Sequence, residues 1–198
     1  WTPSERVIDP ALDEVLRTAP GRVLVATFAS LISRMQQVAN AAQKHGRKMA
    51  FVGMSMRENA KMARKLGYLD IPDDLLIDIS RANSLPPEEV AILVTGSQGE
   101  PMSALARIAV GKHRYVELER DDLVIHSARI IPGNEKSINR TFNQLIRRGA
   151  EVITGAEAPV HVSGHAASDE LRELLDVLRP EFFVPIHGEY RQLALHSR

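Results

Sequence analysis

Two observations predict an α/β fold, with a mostly parallel β-sheet and helices on both faces. First, short unbroken apolar runs, such as Arg22 to Thr27 and Val90 to Thr95, alternate with helical stripes. Strands covered on both sides read as continuous apolar runs, and their alternation with helices of about ten to fifteen residues implies parallel crossovers. Second, the segments that follow these runs are rich in glycine and serine and lead into helices, as loops at the carboxyl ends of parallel strands do.

The elements follow in order. Ser4 to Arg17 carries a helical stripe (Val7, Ile8, Ala11, Leu12, Val15, Leu16) interrupted by Pro10. Pro20-Gly21 turns the chain into the first strand, and Ser30 is placed as N-cap of a helix running to about His45. Lys48 to Val52 is the next strand, and Ser55 caps a helix closed by Gly67. Between Tyr68 and Pro87 the pattern weakens to turns and a connector. Val90 to Thr95 is the clearest strand, followed by Gly96-Ser97-Gln98-Gly99-Glu100-Pro101 and a helix from about Met102 to Val110. Tyr115 to Leu118 and Leu123 to His126 read as two short strands around a charged turn. Asn134 to Arg148 is an amphipathic helix, and Glu151 to Thr154 a strand. Val160 to Ala167 and Pro185 to Glu189 each place histidine and glycine at the end of an apolar run, with a helical pattern between them.

Composition bounds the function. A chain of 198 residues can bury a core, and its 44% hydrophobic and 25% charged content is that of an ordinary globular protein. The absence of cysteine excludes a disulfide scaffold and a thiolate zinc site, fits a reducing compartment, and leads us to expect a cytoplasmic protein. No apolar run approaches the ~20 residues that span a bilayer, so no membrane partner is expected. A net charge of zero argues against nucleic-acid binding by bulk electrostatics and leaves room for a local dipolar groove. The chain opens on Trp1-Thr2-Pro3 and closes in an uncapped helical pattern from Tyr190, so we expect a piece of a longer protein.

Three strand-to-helix junctions have the composition of an anion site: Thr27 to Ser30, Thr95 to Pro101 and Ser163 to Ser168. Helix N-termini offer free N–H groups and partial positive charge. Each junction alone reads more readily as an ordinary cap or turn, and only their coincidence at one sheet edge brings the anion reading level. His161 and His165 are four residues apart, but Gly164 breaks any helix between them, so the helical zinc-protease pattern does not apply. His187 before Gly188-Glu189 suits a metal ligand with a carboxylate nearby. No His-x-His-x-Asp-His run occurs, so a metal-hydrolase site is incomplete in this chain. Arg147-Arg148, the methionines Met54, Met56 and Met62, and the turn 117–122 read as solvated or packing residues. His45, His113, His126 and His196 show no partner pattern.

Taken together, the motifs resemble a known family. Trp1 to Arg6, Ala26-Thr27-Phe28-Ala29-Ser30, Thr95 to Pro101, Ile131 to Glu135, His161-Val162-Ser163-Gly164-His165-Ala166 and Pro185 to Arg191 are similar, in order, to ribonuclease J. That enzyme belongs to the β-CASP group of the metallo-β-lactamase superfamily. The resemblance implies a Rossmann-like β-CASP domain over residues 1–157, with residues 158–198 closing it and returning into a metallo-β-lactamase domain. It implies a zinc-dependent ribonuclease with two Zn2+ ions, of whose ligands only His187 is present. The whole enzyme would cleave RNA as a 5′-to-3′ exonuclease and endonuclease in mRNA decay and rRNA processing, preferring 5′-monophosphorylated RNA. A zinc-bound hydroxide would attack phosphorus while His165 takes up developing charge. Phosphate binding falls by resemblance to His161, Ser163, Gly164, His165 and Ala166, together with Ser30 and Ser97. One departure is Ser33, where the family often has histidine. The resemblance also implies a homodimer or tetramer for the full-length protein and inactivity for this fragment. A stand-alone Rossmann-type nucleotide- or phosphate-binding module and an interaction domain are the competing readings.

Overall fold

In the computed structural model, which describes residues 1–197, the apolar runs become five parallel strands. They are β1 (Val23–Ala26), β2 (Lys48–Val52), β3 (Val90–Val94), β4 (Leu123–His126) and β5 (Glu151–Ile153), in the order β2-β3-β1-β4-β5. Pairing is parallel throughout, with Val23 opposite Ala91 on one side and Leu123 on the other.

Alternation along the strands supplies two cores. Val23, Val25, Ala91, Leu93, Leu123 and Ile125 face helices α1 (Asp9–Thr18), α2 (Ile32–Lys44) and α3 (Met54–Lys65). Leu24, Ala26, Ile92, Val94 and Val124 face α4 (Ala104–Ala109) and α5 (Glu135–Arg147). Both faces of β1 and β3 are covered, which is why their sequences are apolar without interruption. At the amino ends of β1 and β4, the buried Arg22 and Asp122 pair at 2.7 Å, and the same carboxylate accepts the Glu119 amide at 2.9 Å.

Several local expectations change. Pro10 sits in the first turn of α1, after a separate 3₁₀ turn at Glu5–Ile8, where its missing N–H costs nothing. Ser30 is not a cap: the chain makes a turn closed by Leu31 N to Phe28 O at 3.1 Å, and α2 starts after Leu31 with no side-chain cap. Gly53, not Ser55, precedes α3. Ser103 caps α4, accepting the Ala106 amide at 3.2 Å, so that helix begins later than its apolar pattern. Tyr115 to Leu118 is not a strand, because side chains take its carbonyls: Asn83 donates to Tyr115 O and Arg22 to Glu117 O.

By compactness the chain divides into Ser4–Val162 and a second unit, formed by Trp1–Pro3 with the chain from Ser163 onward. The second unit holds α6 (Ser168–Leu178) and α7 (Tyr190–His196). Thr2 ties its two segments together, its Oγ1 donating to the Glu170 carboxylate at 2.6 Å and to His165 O at 3.0 Å. The apolar runs leading into the two histidine motifs, expected as strands, are not in a strand ladder among the described residues. A run forms a strand only when a neighbour takes its N–H and C=O groups. Among the described residues no helix is long and apolar enough to cross a membrane.

Candidate nucleic-acid interface

The sheet order singles out one edge. From β1 the chain crosses to β2 on one side, and from β4 to β5 on the other, so the carboxyl ends of β1 and β4 flank a topological switch point, where α/β sheets bind ligands. Ser127 N to Ala26 O at 2.9 Å and Thr27 N to Val94 O at 3.3 Å extend the ladders to this edge. Thr27 is buried there, and its Oγ1 has no hydrogen-bond partner among the described residues.

Beside it, the 96–101 loop is built from behind. Gly96 has φ 115°, and a Cβ there would run into the Ser103 side chain; Gly99 has φ 72°, with the Ile138 amide 2.7 Å from where a Cβ would lie. Only glycine fits both positions. His126, 2% exposed, donates Nε2–H to Ser97 O at 2.7 Å and meets the Phe142 ring edge-on. Gln98 donates to Arg129 O and accepts from the Ile131 amide, latching the loop to the one after β4. Burial holds the His126 imidazole below its ordinary pKa, opposed by the bond to Ser97. Of the three serines assigned to phosphate, Ser97 is 3% exposed, Ser163 is half-buried and Ser30 is exposed.

His161 follows β5 and the 154–158 turn, and its Nδ1 is buried without a hydrogen-bond partner among the described residues. The preceding carbonyl, Val160 O, is gripped by Arg34 Nη1 at 2.6 Å and by Ser127 Oγ at 2.7 Å, while Arg34 also donates to Ser127 Oγ. Desolvation first, and then the Arg34 charge, lower the His161 pKa.

In the second unit, Ser163 Oγ accepts the His165 amide at 3.2 Å across Gly164, and Gly164, His165 and Ala166 are exposed. His187 has φ 67°, a left-handed backbone uncommon for a residue with a Cβ. Its ring stacks on His165, with centroids 6.1 Å apart and planes 14° from parallel. The structure thus brings the two histidines assigned to catalysis together. Zinc takes four ligands, of which the resemblance assigns only His187 here, and among the described residues no three His, Asp or Glu side chains could hold a metal. This chain alone therefore does not fit a zinc centre.

Comparison with known proteins decides the family. The family model described as Ribonuclease J, beta-CASP domain matches residues 20–145. This chain belongs to that family. Residues 150–198 of this β-CASP chain match a second model, the Zn-dependent metallo-hydrolase RNA specificity domain. A Ribonuclease J of Synechocystis is 46% identical over 197 residues, covering 100% of this chain and 31% of the relative. A Ribonuclease J of Mycolicibacterium smegmatis is 46% identical, covering 99% and 35%. Ribonuclease J2 of Bacillus subtilis is 40% identical, covering 100% and 36%. The chain thus spans about a third of the length of the curated relatives it matches.

Within this ribonuclease J segment, sequence reasoning passed over Arg34, His126, Gln98 and the Thr2–Glu170 staple. One signal pointed to Arg34. It lies in the first turn of α2, which holds no acidic residue, and a cation there opposes the helix dipole. A residue that breaks a local rule is a candidate for function.

Proposed function

We propose that this chain is the RNA-binding part of a longer ribonuclease J, with RNA phosphates held at the carboxyl edge of the sheet. The observation that carries this reading is the pair of buried, unpartnered polar atoms, Thr27 Oγ1 and His161 Nδ1, at the β1/β4 end. Buried polar atoms are almost always satisfied, so each is a candidate to meet a polar group of the RNA. A few placed donors also suit a neutral chain, which cannot rely on net charge.

In this reading His161, Ser163, Gly164, His165 and Ala166 hold phosphates, assisted by Ser30 and, through its loop, Ser97. The preferred end is a 5′-monophosphate. His165 stabilises charge at the scissile phosphate, and His187 contributes one zinc ligand, the others coming from outside the chain. Residues 1–157 form the β-CASP domain and 158–198 lead into a metallo-β-lactamase domain. The whole enzyme, cytoplasmic and dimeric or tetrameric, hydrolyses RNA as a 5′-to-3′ exonuclease and endonuclease.

The test compares this chain with a longer version that adds an upstream His-x-His-x-Asp-His segment. Chelator-sensitive cleavage of 5′-phosphorylated RNA is expected from the longer protein only. The reading fails if the chain alone cleaves RNA, or if the longer protein does not distinguish 5′-phosphate from 5′-hydroxyl ends.

A further inference from the structure

We propose that Arg34 is a positioning residue: by holding the Val160 carbonyl against the Ser127 hydroxyl, it fixes His161 at the carboxyl ends of β1 and β4. The inference rests on the phosphate-binding reading of this edge and names what sets its geometry.

Arg34 is fully buried, and its hydrogen bonds go in four directions. Nε donates to Gln37 Oε1 at 2.7 Å, Nη2 to Glu5 Oε2 at 2.7 Å, and Nη1 to Val160 O and Ser127 Oγ. Gln37 is itself held, donating to Glu5 O and Asp9 Oδ1. The single carboxylate partner, Glu5, has a side chain 38% exposed. As a device for stability this is a poor one, because a buried cation is costly to desolvate and an apolar residue of similar volume fills a core as well. The position also works against the dipole of α2.

What the guanidinium achieves is a long-range constraint. It links α2, the residue after β4, and a carbonyl 126 positions away that immediately precedes His161. The planar fork suits this, since one Nη can serve Val160 O and Ser127 Oγ while the other faces Glu5; a lysine ammonium cannot reproduce that geometry. Four charged or titratable groups act on His161: Arg34 from α2, Glu5 from the N-terminal turn, His126 from β4, and Arg129 from the loop after it. Arg34 is the largest of these charge effects, so the residue that fixes the backbone also disfavours the imidazolium.

The test follows the imidazole and amide resonances of residues 160–162 in this chain with pH, in the parent and in Arg34→Met, Arg34→Lys and Ser127→Ala. Arg34→Met is expected to raise the His161 titration midpoint and to speed amide exchange at 160–162 by ~10-fold or more, as loss of a charged hydrogen bond implies. Arg34→Lys should speed the exchange while leaving the midpoint low. Ser127→Ala keeps the charge and one anchor, so it should loosen the same amides less; it decides the matter if Arg34→Met fails to fold. Unchanged His161 midpoint and amides in the folded variants, with only global stability lowered, would overturn the proposal. Binding of a short 5′-monophosphorylated oligoribonucleotide against its 5′-hydroxyl counterpart is measured alongside. Failure of the parent to distinguish them, with the His161 response intact, removes the phosphate reading and leaves the positioning role standing.

Discussion

Between Ser4 and Val162, all five strands contribute side chains to one of two apolar cores; from Ser163 onward, no described residue is buried. The difference is not one of composition. Leu174, Val177, Leu178, Phe182, Val184 and Ile186 are as apolar as anything in the sheet, yet all are exposed. Each fully buried Leu, Ile or Val contributes about 1.5–3 kcal/mol, and the second unit has none of this term. Its order rests instead on α6 and α7, of 11 and 7 residues, and on the Thr2–Glu170 staple. Helices shorter than about 12–15 residues are marginal alone in water. Apolar sequence is therefore not the same as a core: the first unit supplies partners for its own side chains, and the second displays them.

The largest test of this contrast is at the Arg22–Asp122 pair. Asp122→Ala leaves a buried guanidinium without its carboxylate, and is expected to lower the stability of the first unit by about 3–5 kcal/mol in denaturant unfolding. A matched truncation compares the units directly. Leu24→Ala should cost about 2–5 kcal/mol, whereas Leu174→Ala should stay within about 0.5 kcal/mol. Equal losses from the two leucines would show that the second unit has a core after all. Amide exchange sharpens the same point: amides of α6 and α7 are expected to exchange orders of magnitude faster than those of β1, β3 and β4.

The smallest effect is in pH. His126 and His161, both in the first unit, are held below their ordinary pKa chiefly by burial. The unfolded chain, with histidine near 6.5, therefore binds more protons than the folded one in the interval between the two values. Stability is expected to be full above about pH 6.5, to fall as pH drops through that interval, and to level off below the folded-state values. Thermal melts across that range check the sign. Replacing His126 by asparagine should remove part of the slope, and a slope unaffected by it would assign the effect elsewhere.

Much of the fold was legible in the sequence. The unbroken apolar runs of β1 and β3 and the amphipathic pattern of α5 correspond to the observed elements because strands and helices leave a period in the chain. The misread stretches have a shared cause. Tyr115 to Leu118 and the apolar run before His187 carry strand-like residues, but a strand is a relation between two segments, and no local pattern states whether the second is present. Ser30 has the composition of a cap but lies inside the Phe28–Leu31 turn, and α2 starts only after Leu31.

At the candidate site the division is the same. Glycines at 96 and 99, and the His161 to His165 motif, could be read from residue type and spacing, because their conformations are local. What the tertiary structure alone decided is which groups hold them. Arg34 meets Val160, 126 positions along the chain, and His126 meets the Ser97 carbonyl, 29 positions back. These bonds depend on where parallel strands come to lie side by side, which local sequence does not record. The sequence by itself determined an α/β chain with glycine-bearing loops after its strands; only the packed sheet brought a buried cation and two polar atoms, unpartnered among the described residues, to the ends of β1 and β4.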